Sequence, residues 1–114
     1  MPDAIDQATY AELCDSAGAD FAADLVGTFC EEAPIMFDAL RLAREQADGD
    51  GFRRAAHSIK SNCATFGALG VAGLARTLEL AGLAADATAD QAAINALWLA
   101  YESAATRLRE LARG

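Results

Sequence analysis

The chain has one histidine, one lysine and two prolines among its 114 residues. Each scarcity, and several outright absences, narrows what it can be. No apolar run approaches the roughly 18 residues of a membrane span, so no membrane segment is expected. The start, Met1-Pro2-Asp3-Ala4-Ile5-Asp6, lacks a basic segment followed by an apolar one, so no signal peptide is expected. Basic residues are few, and the net charge is −8. That sets the chain against nucleic acids and anionic bilayers. Cysteine is odd in number, at Cys14, Cys30 and Cys63, with no metal-type spacing. These thiols read as reduced, mostly buried small hydrophobes, with no metal site. There is no glycine-rich phosphate loop and no kinase-type glycine motif. No run of β-branched residues alternates with period two, so no sheet is expected. A cytoplasmic protein is the expectation.

What the chain has in abundance is alanine, about a quarter of all residues, and alanine is the best helix former. Apolar residues make up 54%, which argues against disorder. A length of 114 residues fits one domain with one core, spanning 1–114.

Helical spacing repeats along the chain. Asp6 is placed to cap a short helix ending near Ser16, with Tyr10, Leu13, Cys14 and Ala17 on its apolar side and Gly18 as its stop. Asp20 then opens a long helix through Phe21, Leu25, Phe29, Ala33, Phe37 and Leu40. Pro34 is expected to kink it, because the stripe resumes at once. Asp48-Gly49-Asp50-Gly51 reads as a turn with a cap at Asp50. A helix from about Gly51 to Phe66 follows, then one carrying Val71, Leu74, Leu78 and Ala81. The last helix, capped by Thr88 or Asp90, carries Ile94, Leu97, Trp98, Tyr101, Ala105, Leu108 and Leu111. Arg107, Arg109 and Arg113 near its end suit the negative pole of the helix dipole and read as solvated. The expected architecture is all-α: an antiparallel four-helix bundle with an additional short N-terminal helix over one end.

The segment from Ala55 to Ala68 holds the histidine and the lysine three residues apart. At 100° per residue, Phe52, Ala55, Ala56, Ile59, Cys63 and Phe66 share one face, the pattern of a core stripe. His57 falls nearly opposite. Arg53, Arg54, Lys60, Ser61 and Ala64 surround it. An exposed imidazole is a nucleophile near neutral pH. A phosphoryl group on it would bring about two negative charges. Lys60 could balance these, with Arg53 and Arg54 flanking, and small Ser61 and Ala64 leave room for a second protein. Acyl transfer fits less well: no Ser/His/Asp or Cys/His set follows from the spacing, and no orienting partner for the ring is evident.

His57, Ile59 and Lys60, then Gly67-Ala68, Val71, Leu74 and finally Leu78-Glu79 resemble the signature of histidine-containing phosphotransfer (HPt) domains, roughly H-x-L-K-G, Gly-Ala, then L-E. Asp20-Phe21, Leu25, Phe29 and Glu32 resemble that family's second helix. The resemblance reaches from Ile5 to Leu80. It departs at Ser61, where the signature has glycine. It implies that His57 takes a phosphoryl group from a receiver-domain phospho-aspartate and passes it to another response regulator. Lys60 would steady the phosphoryl oxygens, and Arg53, Arg54, Ser61 and Ala64 would form the docking face. Val26 or Ile35 would add an apolar patch from the preceding helix. Gly67, Ala68, Leu78 and Glu79 would be structural parts of the motif. The implied partners are receiver domains of response regulators and hybrid histidine kinases, which would supply Mg²⁺. No cofactor of the chain's own, no autokinase activity and a monomer are expected.

Three other readings compete. A dimerising histidine-kinase hairpin usually has an acidic residue after its histidine and a proline five residues on, where this chain has Ser58 and Asn62. A metal- or haem-binding bundle needs more ligands than one histidine. An adaptor that binds receiver domains without phosphotransfer would not need His57 and Lys60 together.

Overall fold

A computed structural model describes residues 3–113. Five helices follow one another: α1 (Gln7–Ala17), α2 (Ala19–Glu45), α3 (Gly49–Thr65), α4 (Leu69–Ala81) and α5 (Ala87–Arg113). No strand occurs among the described residues. The connections at 46–48, 66–68 and 82–86 are short, which forces successive helices to run antiparallel. α2 packs on α3, α3 on α4, α4 on α5, and α5 back on α2, closing a four-helix ring. α1 packs on α2 and α3.

Local chemistry sets the boundaries. The Asp6 carboxylate accepts from Thr9 N–H at 3.3 Å and caps α1. Gly18 ends α1 with a positive φ of 88°, where a side chain would be strained. α2 starts directly after it, so Asp20 lies inside the first turn rather than at the cap. Its charge there suits the positive helix end. α2 continues through Pro34 as one helix, and the missing N–H costs it one hydrogen bond. The cap of α3 is Asp48, not Asp50: its carboxylate accepts from Gly51 N–H at 3.0 Å while its own backbone stays extended. Asp50 falls in the first turn. At α5, Asp86 accepts from Thr88 N–H at 2.9 Å, and Asp90 does other work.

Asp90 is buried. Arg44 donates to its Oδ2 at 2.8 Å and to the Ala84 carbonyl at 3.0 Å. The Ala84 N–H donates to the same Oδ2 at 2.9 Å. This clamp ties the α4–α5 loop to α2.

The α3 stripe is buried as expected, from Phe52 through Phe66. Full burial of such large side chains is worth about 1.5–3 kcal/mol each. In α2 the core register is Ala22, Val26, Phe29, Ala33, Phe37 and Leu40. Stepping back from Phe29 at about 100° per residue puts Ala22 almost in line and Phe21 far to one side. Phe21 is accordingly exposed, and Val26, expected as a spare surface residue, belongs to the core. In α4, Val71, Ala72, Ala75 and Leu78 face inward, while Leu74 and Ala81 are exposed. Phe29, Phe37, Phe66, Trp98 and Tyr101 form one aromatic cluster with centroid spacings of 4.8–5.7 Å. All three cysteines are free; Cys63 is buried, Cys14 and Cys30 half-buried.

α1 closes the end of the bundle where α3 gives way to α4. Gly67, at φ 83°, lets the chain reverse there. Its carbonyl accepts from Asp6 N–H at 2.7 Å. A Cβ on Gly67 would lie 2.7 Å from the Asp6 carbonyl oxygen, so this contact admits only glycine. Ala68 beside it is fully buried. Arg107, expected to be solvated, reaches Asp3 at 3.2 Å and Glu110 at 3.3 Å and fastens the N-terminal segment to α5.

Candidate functional site

His57 is the central residue of α3 and points away from the stripe that anchors the helix. Its side chain is 58% exposed. Nδ1 lies 2.5 Å from Oε2 of Glu79, on α4. A carboxylate only accepts, so Nδ1–H is the donor, and in the neutral ring the lone pair is left on Nε2. Nε2 is also the ring nitrogen farther from the backbone. The other Glu79 oxygen, Oε1, accepts from Lys60 Nζ at 2.6 Å. One carboxylate thus joins the two residues that the sequence sets one turn apart. The Lys60 ammonium, and after it His57, hold the Glu79 carboxyl below the usual carboxylate range.

The sequence reads Glu79 as a structural end of the motif and shows no orienting partner for the ring; in the structure Glu79 hydrogen-bonds the ring at Nδ1. The missing information was the register between α3 and α4, a relation across 22 residues of chain. One signal was available, since Glu79 is the only acidic residue in α4.

Other residues fall as follows. Ser61 is exposed, and its Oγ is 3.5 Å from Nε2 of His57. Arg53, Arg54, His57, Ser58 and Glu79 line one open depression. Arg53 lies against Gly82, the residue that ends α4, where a cation suits the negative helix pole. Ala64 is half-buried and packs against the edge of the core. It sits in the last turn of α3, where the chain reverses and Gly67 N–H bonds its carbonyl. Asn62 and Thr65 donate to the carbonyls of Ser58 and Ser61. Leu78 packs in the core. Ile35 is exposed on α2. Beside the His57 face, Ala39 and Leu42 of α2 and Arg54, Ala55 and Ser58 of α3 line a shallow groove.

Among the described residues, no group of three or more His, Cys, Asp or Glu side chains converges as a metal site. No helix among the described residues is long and apolar enough to cross a membrane.

The described helices thus form a bundle that offers one oriented, solvent-facing imidazole. In a comparison with protein families, the model described as the Hpt domain matches residues 24–112, and the chain belongs to that family. Members serve in histidine phosphotransfer in phosphorelays, as carriers rather than kinases, and interact there with receiver domains. Neither the curated proteins nor the solved structures contain a match to the chain.

Proposed function

We propose that His57 accepts a phosphoryl group from the phospho-aspartate of a receiver domain and delivers it to an aspartate on a second response regulator. The observation that carries this reading is the Glu79–His57 hydrogen bond, which presents Nε2 as the free lone pair on an exposed face. In the step, a bond forms between Nε2 and phosphorus as the bond from phosphorus to the aspartyl oxygen breaks. The aspartate leaves as a carboxylate. Positive charge develops on the ring as Nε2 gives up its lone pair, and Glu79 at Nδ1 balances it. Lys60, held at the site by Glu79, is a point charge for the phosphoryl oxygens. The receiver would contribute Mg²⁺ and the carboxylates around it.

The docking surface would be the face around His57 with the groove between α2 and α3, where Leu42 supplies exposed apolar area; Ile35 is exposed farther back on α2. Transient signalling contacts are small, often below about 1,200 Å². The chain would act as a cytoplasmic monomer.

The test is His57→Gln with radiolabelled phospho-receiver as donor. Phosphoryl acceptance is lost, while melting changes by no more than about 0.5 kcal/mol because the ring is exposed. Acid-labile label on the variant would end the reading.

A further inference from the structure

Ser61 stands where the signature around the histidine has glycine, and its hydroxyl lies beside Nε2 of His57. The separation of 3.5 Å from Nε2 is long for a hydrogen bond. Among the described residues the hydroxyl has no other partner at hydrogen-bond distance. Ser61 is exposed, so its side chain is free to turn. The other groups near the ring are differently placed. Nδ1 is tied to Glu79, and Lys60 is already bonded to the same carboxylate.

We infer that Ser61 is a ligand of the phosphoryl group on His57, and that its hydroxyl prolongs the life of the phosphohistidine. This rests on the reading of His57 as the phosphoryl carrier. A phosphorus bonded to Nε2 carries three acceptor oxygens, and they stand one bond beyond phosphorus. They therefore enter the space between Nε2 and the serine Oγ. The contact that is too long in the resting ring becomes a hydrogen bond from an O–H donor to an anionic oxygen. Such charge-assisted bonds are the stronger kind.

The direction of the effect follows from the chemistry. Phosphoryl transfer passes through a loose transition state in which charge drains from the equatorial oxygens as the P–N bond breaks. A hydrogen bond to those oxygens is stronger before the step than during it. It stabilises the phosphorylated ground state and raises the barrier to loss. It also moves the equilibrium with a receiver aspartate toward histidine, because the unphosphorylated ring gains little from the same hydroxyl. Glycine at this position offers no donor. Ser61 thus turns a permissive position into one that holds the phosphoryl group.

The experiment labels the whole chain with phosphoramidate, a small donor that needs no protein contact, and follows decay of phospho-His57 in wild type, Ser61→Ala and Ser61→Thr. In Ser61→Ala the half-life shortens about three- to tenfold, the weight of one hydrogen bond, with unchanged helix content. Ser61→Thr keeps the hydroxyl and decays within about twofold of wild type. The ³¹P resonance moves in Ser61→Ala and not in Ser61→Thr, which a purely structural role would not produce. Equal decay in all three proteins, or a threonine variant that decays like alanine, overturns the role of Ser61 and leaves the carrier reading intact. Absence of label on wild-type His57 overturns both.

Discussion

Glu79 Oε2 stands 2.5 Å from Nδ1 of His57, and its Oε1 stands 2.6 Å from Nζ of Lys60. A single carboxylate from α4 therefore selects the ring tautomer and places the cation beside it. Lys60 is not a loose surface charge; it is held by the same carboxylate that hydrogen-bonds the His57 ring.

Glu79→Gln removes the charge while keeping an acceptor. Phosphoryl acceptance is expected to slow by roughly 10- to 100-fold, the loss of one hydrogen bond to a charged group. Ring ¹⁵N spectra check the cause: wild type holds the proton on Nδ1, and the variant shows a mixture of tautomers. The folded Glu79 carboxyl is held below its ordinary range. Its contribution to stability is therefore present above the unfolded carboxyl pKa of about 4.3 and is lost as pH falls through the lower folded value. Melting curves of wild type and variant should differ at neutral pH and converge on acidification.

Leu42→Glu places a charge in the groove between α2 and α3. Leu42 is 51% exposed, so stability should change by less than about 0.5 kcal/mol. Transfer from a receiver is expected to fall at least about tenfold, while labelling by phosphoramidate is unchanged. Loss of both activities would point to damage at His57 rather than at the docking face. Ala64 is the less useful position for such a probe, because it is half-buried and a large side chain there would disturb the core edge.

Gly67→Ala meets two penalties at once, a positive φ and a Cβ placed 2.7 Å from the Asp6 carbonyl oxygen. A loss of about 2 kcal/mol or more is expected in urea titration. The His57–Glu79 geometry lies away from this turn, so the rate of phosphoryl acceptance by the folded fraction should stay at the wild-type value.

Arg44→Ala leaves the buried Asp90 carboxylate without its counter-charge. The side chains of Arg44 and Asp90 are 17% and 6% exposed, and breaking such a pair costs about 3–5 kcal/mol. Asp90→Asn keeps an acceptor for Ala84 N–H and leaves no buried anion, so it should cost less. Urea midpoints of the two variants give the comparison directly.

The stripe of α3 was readable because Phe52, Ile59, Cys63 and Phe66 fall on one face at helical spacing, and nothing competes with them. The same spacing misplaces the start of α2, where Phe21 competes with Ala22 for the core and Val26 is passed over, while Leu25 packs at the core edge. Alanine carries little hydrophobic signal, so a stripe that begins on alanine is hard to see, and here the true register does. Caps are ambiguous for a related reason: Asp48 and Asp50 are chemically equal, and only backbone geometry decides between them. Within the candidate site, His57 and Lys60 belong to one helix, and their relation is fixed by local periodicity. Glu79 belongs to another. Its distance from His57 depends on how α4 slides against α3, which packing in the core sets and no local pattern reports. Asp90 shows the same limit, since a carboxylate near a helix start normally signals a cap and here serves a buried ion pair.

The family match begins at residue 24, yet the protein's physical unit begins earlier. Ile5 is fully enclosed, Tyr10 is buried, and the Asp6 amide is bonded to the carbonyl of Gly67. A piece trimmed to the matched residues would open the floor of the bundle and leave that carbonyl facing water. The matched segment and the folding unit are thus different objects. The glycine-alanine pair of the motif is better understood as the socket for a plug, and the plug is supplied by a stretch of chain that lies outside the match.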